Sequence, residues 1–458
     1  MKMIIVYSVA RSSERPSPRG RRFVKYRRTN ARTTLRRRDT VAHLLMVESW
    51  VGAMSRLLPR AIREGGHEFS FLTRDLHHYL RSAPEGAAHP LLGARNVLTA
   101  DTNDLDTLLP YAERLHATLG FDGVITSCDY YLPAVARIAG RLGLPGPAPE
   151  AVENACRKDA TRQTLAAAGL PGPRFAVCAD RSEAAAAAAE IGYPLVLKPV
   201  DLCAGMFVRR VDDEAELARA YRAVEGFPVN ARGQRRAPVV LLEELLHGPE
   251  VSVETVTFDG STQVVGVTDK SVGGAPAFIE TGHMFPAALP AADAAAAGET
   301  ARQAVEALGL DGVVAHTEIK LTPDGPRLIE VNPRPAGNRI TELIRHVTGV
   351  DIAAAAVDVA IGQRPDLHIR DTGLRSAAIG FLVPQSTGVL EEIDGADLVR
   401  KAPGVLEVQL ADPGKPVKAA GSNNAYLGHV MAGDAEGPDA RRCVEALLSE
   451  LRPRVVNR

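Results

Sequence analysis

The chain has 458 residues, 45% hydrophobic and 24% charged, with 40 Gly and 31 Pro, which is enough for roughly two to four domains and excludes disorder over most of its length. Five cysteines without a CxxC or Cys/His cluster exclude a disulfide scaffold and argue against structural zinc, and no apolar run reaches the roughly 18 residues that span a bilayer. The net charge of −1 is uneven: residues 1–40 carry thirteen Lys and Arg against Glu14 and Asp39, a local +11 that leaves −12 for the remainder.

Residues 1–40 have no helical or strand period after their first few positions. A basic stretch of this kind reads functionally as a nucleic-acid arm or a targeting peptide, but it lacks an apolar core segment and the body behind it is acidic. Val41 opens VAHLLMVES, a core-strand pattern of the sort that begins α/β domains, and Val can be encoded by GTG, a bacterial start codon. Residues 1–40 are therefore expected to be an over-extended gene start or a disordered tail. The expected setting is the cytoplasm, with neither nucleic acid nor membrane as a partner.

From Val41 onward strands and helices alternate. An apolar run at 43–48 leads to Ser49–Gly52, an amphipathic helix follows (AMSRLLPRAIREGG), then a strand at 68–73, a helix at 103–119, a strand at 121–127 and a helix at 132–144. These are βαβ units on a parallel sheet, a Rossmann-like domain over 41–150. It contains no GxGxxG, so dinucleotide binding has no support. GLPGPAP at 143–149 marks the boundary.

Beyond it, helices are expected at 159–169, 182–191, 213–224, 290–308 and 340–360. Strands are expected at 194–199, 206–211, 238–244, 250–258, 262–268, 313–321 and 327–331. This α+β region runs over 151–365, with a small subdomain at about 160–240. Residues 366–458 return to short strands (AAIGFLV, GVLEVQL, AYLGHVMA) and close on a helix at 438–450, a separate C-terminal α+β subdomain.

The most informative stretch is EIKLTPDGPRLIEVNPRPAGNRI. Pro323–Pro326 forms a turn, so 313–321 and 327–331 make a hairpin in which Glu318 falls opposite Glu330. Alternation puts His316, Glu318 and Lys320 on one face of their strand, and Leu328, Glu330 and Asn332 on one face of the other. Two carboxylates and an amide oxygen are a ligand set for hard Mg²⁺, and Arg334 follows to hold an anion beside it. A solvated hairpin with charges at its tip is the other reading of the same residues.

Two lysines lie upstream. Lys158 opens a helix, and Lys198 ends the apolar strand YPLVLKP, where a buried ammonium needs an anionic partner such as phosphate. The loop after it, DLCAGMF, has one glycine, Gly205. In LLEELLHGPE an apolar strand reaches Glu243 and Glu244, crosses Leu246 and turns at Gly248–Pro249. Backbone there can pair with a flat base, and Glu250 can accept from ribose hydroxyls. Taken alone, the stretch reads first as an ordinary hairpin with solvated glutamates.

In this order, Lys158, Lys198 with KP, EELLHGPE and E-x₁₁-E-x-N-P-R resemble the ATP-grasp superfamily over residues 42–450. CRKDATRQTLAAAGLPGPRF, ETGHMFPA, NPRPAGNRI and GFLVPQSTGVLEEIDG resemble its L-amino-acid ligase branch. The resemblance implies an ATP-grasp fold, with a Rossmann-like N-terminal domain, a lid and a C-terminal subdomain, that joins carboxylate and amine substrates in an ADP-forming reaction through an acyl phosphate. It implies Lys158 and Lys198 at the ATP phosphates under the Gly205 loop. Glu243, Glu244 and the Leu246 backbone would hold adenine, and Glu250 the ribose. Glu318, Glu330 and Asn332 would bind two Mg²⁺ ions, with Mn²⁺ able to substitute. Arg334 would steady the acyl phosphate, and Glu280 and His283 would line the substrate pocket, with His283 able to donate to the developing oxyanion. The lid loop departs from the pattern, since DLCAGMF lacks the several Gly and Ser residues usual there. An ATP-grasp carboxylase or another phosphoryl-activating enzyme is the alternative, and a homodimer is left open.

Overall fold

The computed structural model describes residues 41–81, 89–273, 278–419, 423 and 425–456. The basic stretch 1–40 lies outside the described residues, as do residues 274–277, shortly before Glu280.

The first strand, His43–Val47, is buried along its whole length, as a central parallel strand covered on both faces must be. It pairs in parallel with Glu68–Thr73 on one side and Gly123–Ile125 on the other, and Asn96–Thr99 adds an edge that the sequence pattern did not suggest. Helix Met54–Glu64 buries Leu57, Leu58, Ala61 and Ile62 at helical spacing. Part of its cover comes from far along the chain, because Leu44, Met46, Leu58 and Ile62 share one core with Ile352, Ala356 and Val359. The expected helix over 340–360 is two helices. Gly349 turns left-handed at φ +72° and ends Ile340–Thr348, and Asp351 caps Ile352–Ala360 by accepting from the Ala353 and Ala354 N–H groups.

The lid is an antiparallel sheet ordered Phe175–Cys178, Val240–Glu244, Leu195–Pro199, Arg209–Val211. Helices Arg181–Ile191 and Glu214–Glu225, capped by Asp180 and Asp213, cover it with Ala184, Ala188, Leu217, Tyr221 and Val224. The small alanines are what let the first of these helices lie close to the strands.

The largest sheet has eight antiparallel strands: Gly325–Asn332, Val313–Thr322, Glu250–Phe258, Ser261–Gly273, Ile279–Phe285, Ser376–Leu382, Gly428–Asp434 and Val405–Leu410. The break expected at 365 is therefore not a break in the sheet. Ile279–Phe285, which is absent from the strands expected above, bridges the two halves. Gly282 permits the bridge, since a Cβ there would stand 2.7 Å from the Ile379 carbonyl. Gly388–Asp394, Pro416–Val417 and Arg452–Val456 form a separate small sheet. Among the described residues no helix is long and apolar enough to cross a membrane.

Candidate active site

The hairpin forms with the expected register. Glu318 stands opposite Glu330 and His316 opposite Asn332. Alternation fails at one place: a bulge between Glu318 and Ile319 sets Ile319 opposite Leu328, which leaves Ile329 as the extra residue. Leu328 consequently turns into the core with Ala315 and Val331, off the Glu330 face, while Ile329, Glu330 and Asn332 line the cleft. The Ile329 carbonyl accepts from Arg162 at 2.8 Å, which props the bulge.

Each carboxylate of the hairpin faces an ammonium. Lys158 Nζ lies 3.0 Å from Glu330 and donates to the Leu202 carbonyl at 2.7 Å. Burial would lower its pKa, but Glu330 outweighs this and raises it. Lys270 Nζ, 1% exposed, lies 2.6 Å from Glu318, 3.1 Å from Glu280 and 3.2 Å from Glu250. Burial opposes its charge too, yet the three carboxylates hold its pKa well above the ordinary lysine value. His316 sits 2.8 Å from Glu254 and 3.3 Å from Glu318; against burial, these carboxylates carry its pKa up to about 9. Nothing in TDKSVG marks Lys270 from sequence, because its partners lie on three other strands.

The segment that links strand Val240–Glu244 to strand Glu250–Phe258, residues 243–250, is the hinge, and it changes the role expected of Glu243. Its carboxylate is buried between Arg162 and Lys198, each at 2.5 Å. Burial alone would raise its pKa, and the two cations bring it down to about 2. The Glu243 side chain is thus consumed as a counter-ion, and only backbone at this position is left for a base. Lys198 has its pKa lowered by burial, with Arg162 and Lys158 adding to the effect. Glu244 stands at the edge of the cleft, where Arg174 holds its carboxylate at 2.9 Å. Leu246 and Glu250 line the cleft, and Glu250 also meets Lys320 at 3.1 Å.

Glu280 lines the cleft as well, bridging Lys270, the Asn338 amide and, at 3.2 Å, the His283 ring. His283 does not reach it. The ring is fully buried, edge-on to Phe381 at 5.6 Å, and it is Phe381 that forms the wall. A bulge between Ser271 and Val272 pairs Ser271 with Gly282 and Val272 with Glu280, which breaks simple alternation between Glu280 and His283. The pairing of these two residues replaces the oxyanion role expected of His283.

Arg334 lies in the cleft, with Nε 2.6 Å from Asp129 and NH1 2.9 Å from the Pro335 carbonyl. Asp129, Asn338 and Arg339 are cleft residues that the sequence reading did not single out. Gly205 lies in the lid loop at φ +66° between the left-handed Ala204 and Phe207, and Cys203, Ala204, Gly205 and Met206 roof the cleft. Burial pushes the Cys203 thiol up to about 12, so it stays protonated.

Together these residues enclose a cleft of about 900 Å³ between the parallel-sheet domain, the lid and the eight-stranded sheet. Among the described residues no group of three or more His, Cys, Asp or Glu is placed to hold a metal. The set that does suit a hard cation is mixed. Glu318, Glu330 and Asn332 put oxygens on adjoining rungs of one hairpin wall, and the ammonium of Lys158 or Lys270 already balances each carboxylate.

Residues 191–342 match the ATP-grasp domain family, residues 62–146 the ATP-grasp N-terminal domain and residues 380–456 the L-amino acid ligase C-terminal domain 2. An uncharacterized protein of Sinorhizobium fredii, y4rH, is 32% identical over 374 residues, which are 81% of this chain and 76% of y4rH. The chain belongs to the ATP-grasp superfamily, in its L-amino acid ligase branch. An alanine–anticapsin ligase of Bacillus amyloliquefaciens is 32% identical to this ATP-grasp chain over 266 residues, 54% of the chain and 55% of the ligase. The match thus spans about half the length of that relative. An L-amino acid ligase from Bacillus licheniformis shares the fold of this ATP-grasp chain at a TM-score of 0.75 and 24% identity, over 91% of the chain and 99% of the ligase.

Proposed function

We propose that the protein is an ADP-forming ligase that joins the carboxylate of one small amino-acid-like substrate to the amine of another through an acyl phosphate. The observation that carries this reading is the convergence on one cleft of Lys158, Lys198, Glu318, Glu330, Asn332, Glu280 and Arg334, in a chain of the L-amino acid ligase branch. A relative named for joining alanine to anticapsin supports an amino acid as one of the two substrates.

A carboxylate is a poor electrophile, and transfer of the γ-phosphoryl group of ATP turns it into one. Such a transfer needs little covalent help from the protein; positioning and charge neutralisation do most of the work. Lys158 and Lys198 supply cations at the phosphates. The hinge backbone and Leu246 hold adenine, and Glu250 accepts from ribose hydroxyls. Glu318, Glu330 and Asn332 are the residues that would hold Mg²⁺, as two ions, with Mn²⁺ a substitute. When bound, the metal supplies charge neutralisation at the phosphate oxygens. Glu280, its carboxylate kept ionised by Lys270, takes a substrate ammonium. Arg334 faces the activated carboxyl group with the part of its guanidinium that Asp129 and the Pro335 carbonyl leave free. The amine then attacks the acyl carbon and phosphate departs, while the roof of the cleft keeps water out. Cys203, protonated, has no part as a nucleophile.

Phosphate release screened over pairs of amino acids with MgATP tests the reading. ADP and phosphate should appear only with a competent pair, and hydroxylamine should divert the activated acid to a hydroxamate. AMP and pyrophosphate as products would mean adenylation, and turnover that depends on bicarbonate in place of an amine would mean carboxylation.

A further inference from the structure

The lid touches the parallel-sheet domain through the loop at 228–237. Asn230 shapes this loop: its Oδ1 accepts from the Arg232 and Gln234 N–H groups at 2.9 and 3.1 Å, and its Nδ2 donates to the Gln234 side chain at 2.9 Å. The turn presents Arg232 to the loops that follow the strands of the other domain. Its guanidinium donates to the Ser49 carbonyl at 2.5 Å and lies 5.2 Å from the centre of the Trp50 ring. Its own carbonyl accepts from Arg74 at 2.7 Å and Asn103 at 2.9 Å, and Gln234 donates to the Tyr130 carbonyl at 3.2 Å. Arg232 is 7% exposed although it sits at the tip of a loop.

The contacts continue inward. The Trp50 indole N–H donates to one Asp129 oxygen at 2.7 Å, and the other Asp129 oxygen accepts from Arg334 Nε at 2.6 Å. A continuous path therefore runs from the tip of the lid to the guanidinium at the reacting centre. Asp129 touches both Trp50 and Arg334, and Trp50 stands between Asp129 and Arg232 on that path.

We propose that Asp129 and Trp50 are positioning residues for Arg334, and that Arg232 makes their placement conditional on docking of the lid. Arg334 is then set for the acyl group only when the cleft is covered, so that an acyl phosphate does not form in an open, wet site. This rests on the ligase reading above, because it takes Arg334 to act on the activated carboxyl group.

Trp50 is the only tryptophan in the chain, so its emission reports the first link directly, without turnover. In the full-length protein, Arg232→Ala should move that emission to longer wavelength and open it to acrylamide quenching. Arg232→Lys, which keeps a cation over the ring, should move both back toward wild type. With MgATP and a competent amino-acid pair, Asp129→Asn should lower kcat on the order of 10²-fold. Arg232→Ala should lower kcat about tenfold while KM for ATP stays within about twofold. The double variant should be no slower than Asp129→Asn by more than about twofold, because both act through one guanidinium. Unchanged emission in Arg232→Ala, shifted emission with unchanged kcat, or losses that multiply in the double variant would each overturn the proposal. A wild type inactive on every pair overturns the ligase reading and with it this role for Arg334. An unshifted Arg232→Ala in an active enzyme overturns the inference alone.

Discussion

Glu243 stands between Arg162 and Lys198 with all three side chains buried, so removing its charge strands two cations in the interior. Glu243→Gln should cost about 3–5 kcal/mol of stability. The pH dependence follows from the depressed carboxyl. A group held at about 2, against an ordinary 4.5, adds stability that is present above the higher value and is lost as pH falls toward the lower. Urea unfolding of wild type and variant should therefore diverge near neutral pH and converge on acidification through that window; a gap that does not change with pH would mean that the charge of Glu243 contributes nothing. Glu330→Gln is a different case. It faces an open cleft, so the fold should survive while turnover falls on the order of 10²-fold or more; near-native turnover at saturating Mg²⁺ would remove the hairpin from the mechanism. Residues such as Glu330 were legible because their partners lie close in sequence, across a tight turn. Lys270 and Asp129 were not, since each gains its meaning from charges that only the folded sheet brings near. Glu243 was legible as a site residue but not in its role, because its pairing with Arg162 spans two elements.

At the level of elements, the hinge depends on one glycine. Gly248 has φ +139°, and a Cβ on it would lie 2.0 Å from the Leu321 carbonyl, on the strand that carries Glu318. The next residue, Pro249, accepts from the Leu321 N–H at 2.9 Å. Gly248→Ala must push the hinge off that strand and carry Leu246 and Glu250 with it. KM for ATP should rise on the order of tenfold, about 1.4 kcal/mol, with a smaller change in KM for the amine substrate. An equal rise in both would show that the hinge does not belong to the nucleotide. The hairpin opposite was readable down to its register, because a Pro-Asp-Gly-Pro turn fixes which residues face each other. Its bulge was not readable: nothing in the Leu328–Ile329 pair says which of the two is extra, and what holds Ile329 out is Arg162, a residue of the lid-side helix Lys158–Ala167. The same limit explains the short strands at Asn96–Thr99 and Arg452–Val456, whose partners are remote in sequence and whose exposed faces blur the alternation.

At the scale of the whole molecule, the cleft is where otherwise separate parts meet. The lid contributes Lys198 and its roof, the parallel-sheet domain Trp50 and Asp129, and the eight-stranded sheet its acidic wall. The acids of that wall all come from residues 250–330, and Ile279–Phe285 joins them to the strands from Ser376 on, which add Phe381, Gln409 and His429 to the cleft. A nucleotide seated there touches several parts at once and should stabilise the folded chain as a unit. The charge pattern makes this stabilisation depend on metal. Glu318 and Glu330 already repel a polyphosphate, and Lys158 and Lys270 are engaged by those same carboxylates, so bare ATP meets a wall with little free positive charge. A divalent cation held by Glu318, Glu330 and Asn332 would supply the charge neutralisation that removes this repulsion and would leave Lys158 available to the phosphates. A non-hydrolysable ATP analogue at about a hundred times its Kd adds about 2.7 kcal/mol to the folded state, a rise in Tm of a few degrees. The shift should appear with Mg²⁺, vanish with a chelator, and be largely lost in Glu330→Gln even with Mg²⁺ present. An equal shift with and without the cation would mean that the lysines alone hold the phosphates and that the hairpin carboxylates serve only to pair them.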